Sequence, residues 1–191
     1  MMRLPFRTIN DKIEIRRTYV DPAESPIPSH QALLAYWDEL RGARWAPTWP
    51  EVSLMRLPPV AIPFVVVTDI VHENGKPTSS RYRFWGSGLT QYYGEDYTGK
   101  FVHEIPPRSS GIANDSACIR IANERAPHLE IKEFVTPKGL LAKALKLRVP
   151  LSDNGETVDH GLGLFAFEAD LKERSQVELF NKIFESLDKF T

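Results

Sequence analysis

Cys118, His103 and the aromatic trio Trp85, Tyr92 and Tyr93 are the residues whose chemistry stands out in this sequence. A thiol can act as a nucleophile or a metal ligand. Imidazole titrates near neutrality and can serve as an acid–base group or an axial haem ligand. Aromatic walls with a few polar tips suit a small-ligand pocket. Each also has a plainer use: a free cysteine is ordinarily a small buried apolar residue, His103 reads as a loop histidine ahead of the Pro106-Pro107 break, and aromatic residues commonly fill core. Cys118 is the only cysteine, which rules out an internal disulfide and any multi-cysteine metal site. His30, His72, His128 and His160 show no metal-binding spacing. Gly86-Ser87-Gly88 lacks the third glycine of a dinucleotide fingerprint and the lysine of a phosphate loop, so it reads as a turn from strand to helix. Arg81 and Arg83 alternate along one strand face, where they could grip a carboxylate through paired hydrogen bonds or form a solvated face with ion pairs.

Composition narrows the functional classes. The chain has 191 residues, 42% hydrophobic and 26% charged, as expected of a folded domain with a proper core. Twenty-four basic residues against 25 acidic ones give a net charge of -1, which argues against a nucleic-acid binder. No apolar stretch follows the charged start Met1–Arg7, so a secretory signal is not expected. The longest apolar run, Val60–Val67, falls far short of the roughly 20 residues of a membrane helix. The expectation is a cytoplasmic protein with no membrane partner.

The elements that must position these residues follow from periodicity. Residues 1–28 read as an N-terminal extension with one short alternating strand at Lys12–Arg16 and a proline-punctuated linker. A helix follows, capped by Ser29, carrying Leu33, Trp37 and Leu40 on one face and ending at Gly42. Five prolines between Trp45 and Pro63 predict irregular chain with one helical turn near Glu51–Leu57. Phe64–Val71 and Ser80–Gly86 predict an antiparallel hairpin around Asn74-Gly75, with Arg81, Arg83 and Trp85 on one face and Tyr82 and Phe84 on the other. A helical turn at Leu89–Tyr93 and a helix over Gly111–Arg125, with Ile112, Ile119 and Ala122 as its stripe, come next. Leu129–Thr136, Ala142–Leu151 and Thr157–Ala169 predict a three-strand meander, and the second strand aligns Leu145, Leu147, Val149 and Leu151. A capping box at Ser175–Glu178 opens a C-terminal amphipathic helix over 170–191, with Val177, Phe180, Phe184 and Leu187 as its stripe. The sum is an α+β domain over 29–169: five antiparallel strands with flanking helices on one face, and room for a cavity between.

Three segments in order resemble a family of small, mostly single-domain bacterial PAS proteins. They are Tyr36-Trp37-Asp38-Glu39-Leu40-Arg41-Gly42, Tyr82-Arg83-Phe84-Trp85-Gly86-Ser87-Gly88-Leu89 and Gly94-Glu95-Asp96-Tyr97-Thr98-Gly99-Lys100, supported by Val149-Pro150-Leu151. The resemblance implies a five-stranded antiparallel sheet with flanking helices and a sensory or regulatory role, and it implies no catalytic residues. Flavin photosensors of the PAS type place their cysteine in an Asn-Cys-Arg-Phe-Leu-Gln setting, whereas here it is Asp115-Ser116-Ala117-Cys118-Ile119-Arg120. The resemblance does not carry over a ligand, and the cofactor is left unknown. The expected function is a module that binds a small molecule or partner, pairs as a homodimer through flanking helices and signals in trans. Its candidate ligand-binding residues are Trp85, Tyr92, Tyr93, His103, Cys118 and Leu147. The alternative is a small hydrolase or isomerase using His103 with Asp115 or Glu124 as an acid–base pair. A buried polar dyad beside a pocket would favour the enzyme; an apolar cavity with isolated polar groups would favour the sensor.

Overall fold

The computed structural model describes residues 2–3, 7–9, 13–105, 116–135 and 141–169. Its strands are β1 (Met2–Arg3), β2 (Arg7–Ile9), β3 (Ile13–Val20), β4 (Val65–Glu73), β5 (Lys76–Trp85), β6 (His128–Val135), β7 (Leu141–Leu151) and β8 (His160–Ala169). Its helices are α1 (Pro28–Arg41), α2 (Ser87–Tyr93) and α3 (Ser116–Glu124). The expected C-terminal helix lies outside the described residues. The protein is α+β, and none of its described helices is long and apolar enough to cross a membrane.

All described strands join one open antiparallel sheet in the order β3-β6-β7-β8-β4-β5, with β1 and β2 both paired to the outer side of β3. The hairpin and the meander are stitched together by β4 and β8, from Val65↔Leu164 to Asp69↔His160. Asn74 and Gly75, at φ 52° and 75°, make the tight hairpin turn. Both hairpin strands therefore run to the turn itself, longer than expected, and Pro77 is tolerated because β5 is an edge strand.

Three expectations are corrected. Among the described residues the sheet has six main strands, not five: the short strand expected at Lys12–Arg16 is β3, which pairs with β6 from Glu14↔Val135 to Val20↔Leu129. Its alternation was visible, but its partner is more than a hundred residues away. The helices do not share one face. Leu33 and Trp37 of α1 pack with Val65, Val67, Leu147, Val149 and Leu164, the outer face. The opposite, inner face carries α3, whose Cys118 meets Thr68 and whose Ile121 abuts Gly161. Finally, a bulge between the Val67 and Thr68 pairings shifts the register of β5. Trp85 consequently shares a face with Tyr82, their rings 4.9 Å apart, rather than with Arg81 and Arg83.

Local boundaries moved for local reasons. α1 begins at Pro28, whose missing N–H costs nothing in a first turn, so Ile27 is the cap and Ser29 lies inside the helix. The proline-rich segment forms three short turns at Trp49–Glu51, Leu54–Arg56 and Ile62–Phe64. It packs Leu57 and Ala61 into the outer core. Trp37 anchors α1 by donating its indole N–H to the Pro150 carbonyl at 2.7 Å. The described turns of α3 bury Ala117, Cys118 and Ile121 rather than Ile119 and Ala122.

Candidate functional site

The inner face is built in cross-strand rows, because residues opposite one another across the ladder point the same way. One row runs Tyr19, Glu130, Lys146, Phe165; its neighbours run Arg17, Lys132, Ala144, Phe167 and His128, Arg148, Gly163, Val66, Trp85. Four of these charged side chains sit where apolar ones are usual. Glu130, Lys132 and Lys146 are each 1% exposed, and the Arg148 side chain is 12% exposed. The Arg148 stem passes over Gly163, where a β-carbon would meet its Cγ at 3.4 Å, an ordinary contact.

Glu130 is the hub. Its Oε2 accepts from Arg148 at 3.4 Å, and its Oε1 lies 3.6 Å from Arg17 and 3.9 Å from Lys132. Burial would push this carboxyl up, but Lys132, Arg148, Lys146 and Arg17 together hold it down at about 2. Lys132 is pushed down to about 7 by burial, opposed chiefly by Glu130. Burial and the neighbouring Lys132 push Lys146 well below the usual lysine range. Lys146 and Arg148 both lie over Phe165, 4.6 Å and 5.0 Å from the ring centre.

Aromatic side chains wall the polar floor. Trp85 meets Tyr82, Tyr93 and Tyr97 edge-on, with centroids 4.9, 5.2 and 5.0 Å away. Tyr93 is half-buried, but its hydroxyl is sealed from solvent, and burial with the nearby Tyr82 raises it well above the usual tyrosine range. Tyr92 stacks on Phe167 at 4.3 Å, and burial pushes its hydroxyl up to about 12. At one corner Arg120 donates to His128 Nδ1 at 3.0 Å, which leaves the proton on Nε2, 3.0 Å from Glu124. The His128 imidazole is held low, mainly by burial.

The fold thus brings together Trp85, Tyr92, Tyr93 and Cys118 on the inner face. It separates the other two candidates. Leu147 is fully buried on the outer face among α1 side chains. His103 is exposed, stacked on Phe101 and bonded to Ser79 at 3.2 Å. The acid–base pairing proposed for it finds Glu124 engaged with Arg120 and His128, while Asp115 lies outside the described residues. Arg81 and Arg83 both serve Asp69, at 3.3 and 2.6 Å. Asp69 also holds His160 Nδ1 at 2.9 Å, and Asp153 holds Nε2 at 3.0 Å. With a carboxylate against each ring nitrogen, that imidazole clamps the β4–β8 junction.

Glu130, Lys132, Lys146 and Arg148 were missed by sequence reasoning. For the strands expected at Leu129–Thr136 and Ala142–Leu151, sequence periodicity singles out the apolar face Leu145, Leu147, Val149 and Leu151 and gives the charged residues between them no role. The usable signal was that two adjacent strands carry opposite charges at facing positions, Glu130 against Lys146. Comparison with known proteins returned no matching family model, no similar curated protein and no similar solved structure.

Proposed function

We propose that the chain is a non-catalytic sensory or regulatory module of PAS type that binds a small molecule on the inner face of its sheet. The observation that carries this reading is the inner face itself: a polar floor at Glu130, Lys132, Lys146 and Arg148, walled by Trp85, Tyr82 and Tyr93. A few convergent polar groups within aromatic walls are the chemistry of a ligand pocket. The union of hairpin and meander in one antiparallel sheet, with helices against it, supports the PAS resemblance. A ligand seated there would bias the packing of α2 and α3, and the change would be read by another protein or a second copy of the chain.

The enzyme reading gains one observation, the buried Glu130–Lys132 pair at 3.9 Å. It is the weaker reading because Glu130, held at about 2, carries no proton to donate at neutral pH and serves as counter-charge to its neighbours. Native mass spectrometry of the full chain tests the sensor. A retained small molecule that leaves on denaturation, on a dimer, is the expected result. A bare monomer that stays bare after incubation with a metabolite extract overturns it.

A further inference from the structure

The sheet has a notch where β4 starts, and the notch is hollow. β8 pairs with β7 through Ala169, but with β4 only as far as Val65↔Leu164. Pro63 has no N–H to give to a ladder, and the chain there is wound into the Ile62–Phe64 turn, so β4 does not reach back along the rest of β8. Beside that stretch of β8 lies a cavity of about 170 Å³. Its walls are Ile27 and Ser29 at the start of α1, Val60, Ala61 and Phe64 ahead of β4, and residues 164–167 of β8. These walls are braced. The Phe64 N–H donates to the Ala61 carbonyl at 2.9 Å, and the Ala61 N–H to the Pro58 carbonyl at 2.8 Å. The Phe64 ring is held against α2, with the Tyr92 ring 6.0 Å away. Ser29 is the one polar side chain of the lining, and no charged side chain belongs to it. Val60 stands at the rim, 75% exposed.

We propose that this cavity binds a small neutral aromatic molecule, one ring carrying a hydroxyl, with the ring against Phe64 and the hydroxyl on Ser29. Size sets the first limit: an apolar cavity of about 150 Å³ holds benzene, whereas drug-sized ligands need about 300 Å³ or more. Charge sets the second, because an ionised group would lose its hydration between walls that offer no counter-charge. The Phe64 ring favours an aromatic guest through stacked or edge-on contact. The Ser29 hydroxyl can donate to or accept from the hydroxyl of that guest. Glu130, Lys132, Lys146 and Arg148 do not line this cavity, so the inference stands apart from the sensor reading.

The test uses the full chain with three probes: para-cresol, toluene, which lacks the hydroxyl, and benzoate, which carries a charge. Calorimetry and melting curves read binding. Para-cresol should raise the melting temperature and bind severalfold more tightly than toluene and at least tenfold more tightly than benzoate. Ala61→Leu fills the cavity and should abolish binding of para-cresol. Val60→Trp plugs the rim from an exposed position and should do the same, so the test survives if Ala61→Leu fails to fold. Ser29→Ala should bring para-cresol down to the level of toluene and leave toluene unchanged. No binding of para-cresol, equal binding of the three probes, or a preference for benzoate overturns the inference. Binding that persists in every folded plugged variant places the guest elsewhere and overturns it as well.

Discussion

His30 shows how one residue can set the response of the protein to acid. It lies fully buried in the first turn of α1, bonded through Nδ1 to the Ser25 hydroxyl at 2.8 Å. Burial holds its imidazole down at about 4, against a smaller opposing pull from the Leu164 backbone. Between pH 6.5 and 4 the unfolded chain takes up a proton that the folded chain refuses. Stability is therefore full above about 6.5 and drains away as the pH falls toward 4, by about 3 kcal/mol for this group. Urea melts at pH 7, 5.5 and 4 should show that His30→Leu flattens this part of the profile. An unchanged slope would mean that another group carries it. Glu130 acts lower on the scale, since its support is lost only as the pH falls from about 4.5 toward 2.

At the scale of elements, the passage from β5 into α2 depends on close backbone approach. A β-carbon on Gly86 would lie 2.2 Å from the Pro63 carbonyl oxygen, and one on Gly88 would lie 2.9 Å from the Phe64 ring. Gly86 also donates its N–H to Val65 O at 2.9 Å, tying the end of β5 to the start of β4. The sequence motif that mimicked a phosphate loop is thus a packing device. Gly86→Ala must displace backbone rather than a flexible side chain, so it should cost about 3 kcal/mol or more, visible as a large drop in melting temperature. Gly163→Ala, where the nearest atom is 3.4 Å away, should be far milder. Similar losses at the two positions would refute the steric account. The bulge in β5 is a second device of this kind, because it turns Trp85 inward beside Tyr82.

For the whole molecule, the N-terminal strand is part of both the sheet and the site. β3 covers the β6 edge along its length and brings Arg17 and Tyr19 to the inner face. Arg17 reaches Glu130, and Tyr19 lies beneath the Arg120 guanidinium at 4.3 Å. A chain lacking residues 1–20 should present β6 as an unpaired edge and self-associate. Light scattering after gel filtration checks this: the truncated chain should run as larger, heterogeneous species that melt lower than the full chain. A truncated chain that matches the full one in size and melting would show that β3 is dispensable.

Local pattern alone determined the elements. The alternation in β7 and β8, the Asn74-Gly75 turn, the Leu33–Trp37 face of α1 and the proline-rich turns are all written in neighbouring residues, since they depend on short-range sterics and period. What covers each face is a long-range matter, and only the tertiary structure decided it. Lys146 and Arg148 look solvated along their own strand. They are buried because β3, more than a hundred residues away in the chain, and α2 and α3 close over the inner face while α1 takes the other. The same holds for Leu147 and His103: their residue types suggested a pocket, but strand parity sends one to the outer core and loop placement leaves the other in solvent.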